Sequence, residues 1–245
     1  MRILIANPNI SQSVTDLLTA TARRWASPGT ELVSVTATQG FSFIATRAEA
    51  AIGAYAALEL IGRHHKGCDA VVLAAFGDPG LDAARELLDI PVVGLSEAAL
   101  LTACMAGRRF SIVSFAAALG PWFRDTVAAH GLSDRLASIR LADTPFQDIG
   151  DVRNEKEDQI VALCNAAVAD GADVAILAGA PLSGLAEKVA DRVPIPLIDG
   201  MAAAIRQAEV MASLKLRKAT AGSQRKPSPK LTIGLPAEIA GLFGG

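Results

Sequence analysis

The 245-residue sequence is poor in cysteine, histidine and aromatic residues, and aromatics make up only 4%. Its three cysteines, Cys68, Cys104 and Cys164, are far apart and odd in number. This excludes a disulfide framework and predicts a reduced, cytoplasmic protein. The first residues, MRILIANPNI, lack the pattern of a signal peptide, which agrees with that expectation.

Long apolar runs and an excess of positive charge are also missing. No apolar run approaches the roughly 20 residues that span a bilayer, and the net charge is only −2. We therefore expect no membrane partner and no nucleic-acid partner. The mean hydropathy of +0.35 implies apolar surface, which predicts a homo-oligomer.

The sequence lacks motifs for metals and nucleotides. Adjacent His64 and His65 point to different faces of a predicted helix, so they do not have the spacing of a chelating pair. There is no Walker motif, and no G-x-G-x-x-G follows a strand. We expect no metal site and no cofactor.

Short aliphatic runs alternate with longer alanine-rich segments of helical period, which predicts an α/β protein with parallel sheets. The predicted strands are 2–6, 31–36, 70–74, 92–94, 111–114, 137–141, 174–177 and 197–198. The predicted helices are 11–25, 46–66, 79–88, 95–106, 117–130, 153–169, 184–191 and 200–213.

An internal repeat gives the organisation of these elements. Gly67 matches Gly171 and Leu73 matches Leu177, at a constant offset of 104 residues. A repeat of about 100 residues is the size of a lobe rather than of a solenoid unit. The repeat predicts two pseudo-symmetric Rossmann-like lobes, each a mainly parallel sheet flanked by helices, with the active site in the cleft between them.

We assign residues 1–97 with 210–245 to the first lobe and residues 98–209 to the second. The tail after Ser213 is basic, and we interpret it as an extended arm on its own or a neighbouring subunit, with nucleic-acid contact as the alternative. The cleft is expected to be lined by the loops at 7–11, 75–79, 114–118 and 179–183.

Two residues beside these loops have competing interpretations. Asp78 is either a cleft carboxylate or the cap of the helix predicted at 79–88. Ser96, in a near match to the G-x-S-x-G motif, is either a nucleophile or the cap of the next helix, and capping is favoured.

The sequence resembles the Asp/Glu racemase superfamily, and within it the hydantoin and allantoin racemase branch, over almost its whole length. The resemblance lies in Asn7-Pro8-Asn9, in VTATQG at 35–40 with Ser42 beyond it, and in AAFGDPGLDAARE at 74–86. It continues in GLSEAAL at 94–100, GRRFSIVS at 107–114, Ile198-Asp199-Gly200 and IGLPAEIAGL at 233–242.

The resemblance implies two similar lobes and racemisation by two cysteines, one on each lobe, which remove and return the proton next to a carbonyl group. In this sequence Ala75 and Gly179 stand at the two cysteine positions. Neither side chain can carry a proton. We therefore expect altered chemistry rather than cysteine-based racemisation.

The binding residues implied by the resemblance suit a hydantoin-like heterocycle, with amides, hydroxyls and backbone N–H groups as partners. Phe41, Phe76 and Phe115 either sandwich a flat ring or pack in the core. The expected catalytic residues are Asp78 and Ser114. The expected substrate-binding residues are Asn7, Asn9, Ser11, Phe41, Ser42, Ala75, Phe76, Gly77, Phe115, Gly179 and Ala180.

Our main hypothesis is an enzyme that adds water to a carbon of a hydantoin-type ring, as in hydrolytic desulfuration of a thiohydantoin or ring opening. Backbone N–H groups around 76–78 and 179–180 would stabilise the developing anion. One alternative is a racemase-type isomerase with other bases, or an engineered cysteine-free form. The other alternative is a heterocycle-binding protein without catalysis.

Overall fold

Strands and helices alternate along residues 1–243, the part of the chain that the computed structural model describes. The strands are β1 (Arg2–Asn7), β2 (Glu31–Thr36), β3 (Ala70–Leu73), β4 (Val92–Gly94), β5 (Phe110–Ser114), β6 (Leu136–Leu141), β7 (Val174–Leu177) and β8 (Leu197–Asp199). The helices are α1 (Gln12–Trp25), α2 (Arg47–His64), α3 (Leu81–Leu87), α4 (Leu95–Ala106), α5 (Gly120–Ala129), α6 (Val152–Glu155), α7 (Glu157–Ala169), α8 (Leu185–Val189), α9 (Gly200–Ser213) and α10 (Ala237–Leu242).

The strands form two four-stranded sheets with the same topology. The first has the order β2-β1-β3-β4 and the second β6-β5-β7-β8, and every pairing is parallel. The sequence repeat thus corresponds to two similar sheets flanked by helices. The prediction of two parallel α/β lobes is confirmed.

The central strands are buried on both faces, as in covered parallel sheets. Every residue of β3 and β7 is buried, whereas the edge strands β2 and β6 are mostly half-buried. The central strands therefore do not alternate apolar and polar residues. They are continuous aliphatic runs instead. These strands place the ends of β1, β3, β5 and β7 along the cleft between the lobes.

Helices α4 and α9 connect the lobes. Helix α4 leads from the first sheet to the second, and α9 returns from the second sheet to pack against α4 and α1. The boundary that we assigned after residue 97 falls inside α4 and stays a prediction.

The start of α4 corrects two capping predictions. Its N-cap is Gly94, which has no side chain, and the Asp78 carboxylate accepts instead from the backbone N–H groups of Ser96 and Glu97, at 2.9 and 2.8 Å. Asp78 therefore caps α4 rather than α3. Ser96 lies inside α4, and its Oγ accepts from the Gly77 N–H at 3.1 Å.

The C-terminal tail crosses its own first lobe. Lys226 Nζ donates to the Asp89 carboxylate at 2.6 Å, and Arg63 Nε in α2 donates to Glu238 in α10 at 2.6 Å. Leu242 is buried against the same lobe. Within residues 1–243, none of the helices has both the length and the apolar character needed to cross a membrane.

Candidate functional site

A small, partly open cavity of about 30 Å³ lies between the strand ends of the two lobes. This is room for about one or two water molecules. Six of the expected binding residues meet there, three from each lobe: Asn9, Ala75, Phe76, Phe115, Gly179 and Ala180. The structure adds Phe43, Ile44, Leu119 and Phe123 to the lining, all outside the predicted loops, and Pro181 from the predicted loop at 179–183.

Asn9 supplies the polar side chain of this lining. Its Oδ1 accepts from Asn7 Nδ2 at 3.0 Å and from the Ser11 N–H at 2.9 Å, which fixes the orientation of the amide. The hydrogen bonds of Asn9 within residues 1–243 do not use Nδ2 as a donor, so this group is available to a ligand. Buried Asn7 also donates to Thr15 Oγ1 at 2.9 Å, and thereby acts behind Asn9 rather than in the lining.

The expected hydroxyl groups lie elsewhere. Ser11 caps α1, where its Oγ accepts from the Val14 N–H. Ser114 Oγ is buried and donates to the Ala178 carbonyl at 2.6 Å, which joins the ends of β5 and β7. Ser42 is exposed. These three residues do not line the cavity.

The three predicted phenylalanines do not form a sandwich. Phe41 is 41% exposed and lies outside the cavity. Phe76 packs against Phe123, with ring centroids 4.8 Å apart. Phe115 instead contacts Phe43 and Phe146. Phe76 and Phe115 therefore pack against other aromatic rings and not against each other. The polar segment around Phe146 gave no sequence signal for this contact.

The loop after β3 offers fewer free N–H groups than predicted. The Gly77 N–H is bonded to Ser96 Oγ, and the Asp78 N–H donates to the Ala75 carbonyl at 3.0 Å. The N–H groups of Ala75, Phe76, Gly179 and Ala180 donate to no acceptor within residues 1–243. An anion in the cavity would therefore have these four backbone groups and Asn9 as its potential donors.

Asp78 and Gly77 lie at a different recess, of about 390 Å³, on the far side of the loop. Burial raises the pKa of the Asp78 carboxyl to about 6, against the opposing effect of its hydrogen bonds to Ser96 and Glu97. His130 Nε2 lies 3.9 Å from Asp78 Oδ2, and its Nδ1 lies 3.9 Å from Glu97 Oε1. The Trp122 ring covers Gly77, where a Cβ would collide with it. We had not predicted His130 as a neighbour of Asp78.

Ala75 and Gly179 face the cavity from different lobes. Gly179 has a φ of 111°, and a Cβ there would lie 2.8 Å from Phe115 Cε1. Phe115 therefore occupies space that any side chain at 179 would need. The three cysteines, all in the described part of the chain, lie away from this lining, and burial raises the pKa of Cys164 to about 12. No cluster of three or more potential metal ligands occurs among residues 1–243.

Comparison with known proteins gives similarity over nearly the whole chain. A family model described as Asp/Glu/Hydantoin racemase matches residues 3–208. A hydantoin racemase from Paenarthrobacter aurescens is 33% identical over 233 residues, which cover 94% of this chain and 99% of that protein.

Two solved structures share the fold. An allantoin racemase from Klebsiella pneumoniae has a TM-score of 0.91 at 32% identity and covers 98% of both chains. Another, from Pseudomonas fluorescens, has a TM-score of 0.88 at 32% identity, over 96% of this chain and 100% of that one. The two-lobed architecture is that of the allantoin racemases.

These relatives show that our main functional hypothesis, hydrolysis at a ring carbon, is wrong. They are named racemases, so they support an enzyme of the isomerase type, which we had kept as an alternative. They do not support desulfuration or ring opening. The error came from treating the side chains at 75 and 179 as decisive for the reaction.

Proposed function

Because the chain belongs to the Asp/Glu/Hydantoin racemase family, we propose that it is an isomerase that inverts a ring carbon next to a carbonyl group in a hydantoin-type substrate. The observation that carries the proposal is the small cavity between the strand ends of the two lobes, with Asn9 Nδ2 as a free donor. The name of its hydantoin racemase relative, similar over 94% of this chain, supports the same substrate class.

The reaction is a proton exchange at one carbon. The C–H bond next to the ring carbonyl breaks, its electron pair moves into the ring, and negative charge develops on the carbonyl oxygen. A donor held at that oxygen stabilises the charge as it forms, and we assign this role to Asn9 Nδ2. A proton then returns to the opposite face of the same carbon and inverts it.

The residues that line the cavity carry no ionisable side chain. Ala75 and Gly179 in particular hold no exchangeable proton. We propose that water between the two lobes accepts the proton on one face and supplies another on the opposite face. Such a mechanism makes exchange faster as the pH rises, because hydroxide is a stronger base than water.

The direct test is to incubate single enantiomers of 5-substituted hydantoins with the protein in deuterium oxide. We expect loss of optical rotation together with deuterium incorporation at the ring carbon, and an intact ring by NMR. Exchange no faster than in buffer alone, at every pH, would refute the proposal.

Two variants test whether proton exchange depends on the cavity. Asn9→Ala removes the free donor and is expected to slow exchange by about 10- to 100-fold. Asn154→Ala, which removes an exposed amide bonded to Asp151, serves as the matched control and is expected to leave exchange unchanged.

Ala75→Cys places a thiol on one side of the ring. We expect it to accelerate deuterium exchange for one enantiomer only, since a single base reaches a single face. Equal acceleration of both enantiomers would show that the ring does not lie between the two lobes as proposed.

A further inference from the structure

Three phenylalanine rings pack together, and two of them line the cavity. Phe43 comes from the first lobe and Phe115 from the second, with ring centroids 6.3 Å apart, and both line the cavity. The Phe146 ring lies edge-on to both, with its centroid 5.5 Å from each. Phe146 therefore makes the contacts that an aromatic group bound between the two lobes would make.

The backbone around Phe146 is held by polar bonds. Phe146 lies between β6 and α6, in a segment without helix or strand. Lys156 Nζ donates to the Thr144 carbonyl at 3.0 Å, and the N–H groups of Gln147 and Asp148 donate to the Glu155 carboxylate, each at 2.9 Å. The ring itself is only half-buried, so it can leave its neighbours without opening the main core.

We propose that Phe146 is an internal stand-in for a ring substituent of the substrate, and that the natural substrate carries a flat apolar group that displaces Phe146 from Phe43 and Phe115. This inference rests on the proposed function for the identity of the ring.

The rest of the lining disfavours a polar substituent. Apart from Asn9, the side chains that line the cavity are apolar, and we assign the free Asn9 donor to the ring carbonyl. The ureido group of allantoin would bring several N–H groups into this space without side-chain acceptors, which is unfavourable for buried donors. The lining thus distinguishes an aryl hydantoin from allantoin.

Binding can be measured independently of the reaction with ligands that have no hydrogen on the reacting carbon. We would compare 5-methyl-5-phenylhydantoin and 5,5-dimethylhydantoin by isothermal titration calorimetry, with allantoin as the polar ligand. We expect the phenyl compound to bind at least about tenfold more tightly than either, from two edge-on aromatic contacts.

The variants are expected to change the affinity for the phenyl compound in opposite directions. Phe146→Ala removes the competing ring and is expected to tighten binding of the phenyl compound about three- to tenfold, with little effect on the dimethyl compound. Phe43→Leu and Phe115→Leu remove its partners and weaken binding by a similar factor. Tyr55→Ala, which removes an exposed aromatic ring on α2, is the matched control.

The outcomes test the stand-in role of Phe146 and the proposed reaction separately. If Phe146→Ala weakens binding of the phenyl compound or leaves it unchanged, or if allantoin binds as tightly, the stand-in role is wrong, whether or not deuterium exchange occurs. If the phenyl compound binds as expected but no hydantoin exchanges its proton, the proposed reaction is wrong and the stand-in role is retained.

Discussion

Asp78 has both an unusual backbone conformation and a raised pKa. It has a positive φ of 49°, and its buried carboxylate caps α4. Because burial raises its pKa from 3.8 to about 6, the folded protein binds this proton more tightly than the unfolded chain. The free energy of unfolding is therefore expected to fall as the pH rises through about 4 to 6, by on the order of 3 kcal/mol.

Asp78→Asn is expected to remove this part of the pH dependence, since the amide does not titrate. The measurement is urea unfolding at intervals between pH 4 and pH 7 for the unmodified protein and the variant. Asp82→Asn, at an exposed position on α3, is the control and is expected to keep the original slope. Equal slopes for the unmodified protein and Asp78→Asn would contradict the assignment.

Gly179 offers a second test at the scale of one residue, because two effects disfavour a side chain there. Gly29 also has a positive φ, of 85°, but a Cβ at Gly29 would meet nothing within 4 Å. Gly29→Ala thus measures the backbone cost alone, about 1–2 kcal/mol. Gly179→Ala is expected to cost about 1–3 kcal/mol more, from overlap with Phe115 and from a backbone with φ 111° and ψ 132°, outside the left-handed helical region.

Chemical denaturation of both variants gives the comparison, and Gly179→Ala with Phe115→Leu is expected to recover the part of the difference that comes from the collision. No difference between Gly29→Ala and Gly179→Ala would mean that Phe115 moves away freely. The same collision would act on a cysteine at 179.

The sequence predicted which residues lie at the cleft better than it predicted which side chains these residues contact. The repeat correctly brought Ala75 and Gly179 to one cavity, since the ends of equivalent parallel strands have equivalent positions. It did not predict that Phe76 pairs with Phe123, or that Phe115 pairs with Phe146. Such pairings depend on side chains far apart in the chain, and no local pattern specifies them.

At the scale of elements, one buried acid on α9 adds a set of hydrogen bonds to the packing of that helix against α4 and α1. The Glu209 carboxylate accepts from the Ser27 N–H at 2.7 Å, from Ser27 Oγ at 2.8 Å and from Thr30 Oγ1 at 2.6 Å. These bonds tie the turn between α1 and β2 to a helix about 180 residues later in the chain.

Glu209→Gln is expected to destabilise the protein by about 1–3 kcal/mol, because a neutral amide accepts these three hydrogen bonds more weakly than the buried carboxylate does. Glu187→Gln is the comparison, since Glu187 pairs with Arg24 at 3.5 Å and both side chains are largely exposed. It is expected to cost less than about 1 kcal/mol. Thermal unfolding of the two variants would contradict this account if their losses were equal.

The strands were predicted almost completely, because buried aliphatic runs between glycine and polar turns are distinctive. The helices were less accurate where non-local contacts decide their ends. The predicted helix 153–169 divides at Lys156, whose side chain reaches back to Thr144 and Pro145. Helix α10 was missed because its attachment to α2 depends on Arg63, far away in sequence.

At the scale of the whole molecule, the cavity implies that the lobes separate when a ligand enters. About 30 Å³ does not accommodate a five-membered ring with a substituent. The expected homo-oligomer is a separate proposal, which light scattering of the purified protein would test, and its outcome does not affect the argument about the cleft.

An ion pair at the recess beside Asp78 connects the two lobes. Arg47 begins α2 in the first lobe, directly after the segment of Phe43 and Ile44, and its Nε lies 2.5 Å from Asp125 Oδ2 in α5. The Arg47 hydrogen bond, together with its positive charge, lowers the pKa of Asp125. Both side chains are more than half exposed, so salt will screen this contact.

Arg47→Gln is expected to make the cleft open more often. Hydrogen exchange followed by mass spectrometry should then show faster exchange in the segments around 76–78 and 179–182, by up to about fivefold, as expected for an exposed pair worth less than about 1 kcal/mol. Adding 1 M salt to the unmodified protein should have the same effect. Asp89→Asn breaks an exposed pair with Lys226 within the first lobe and should leave these segments unchanged. Equal acceleration by Arg47→Gln and Asp89→Asn would mean that opening of the cleft does not depend on the contact between lobes.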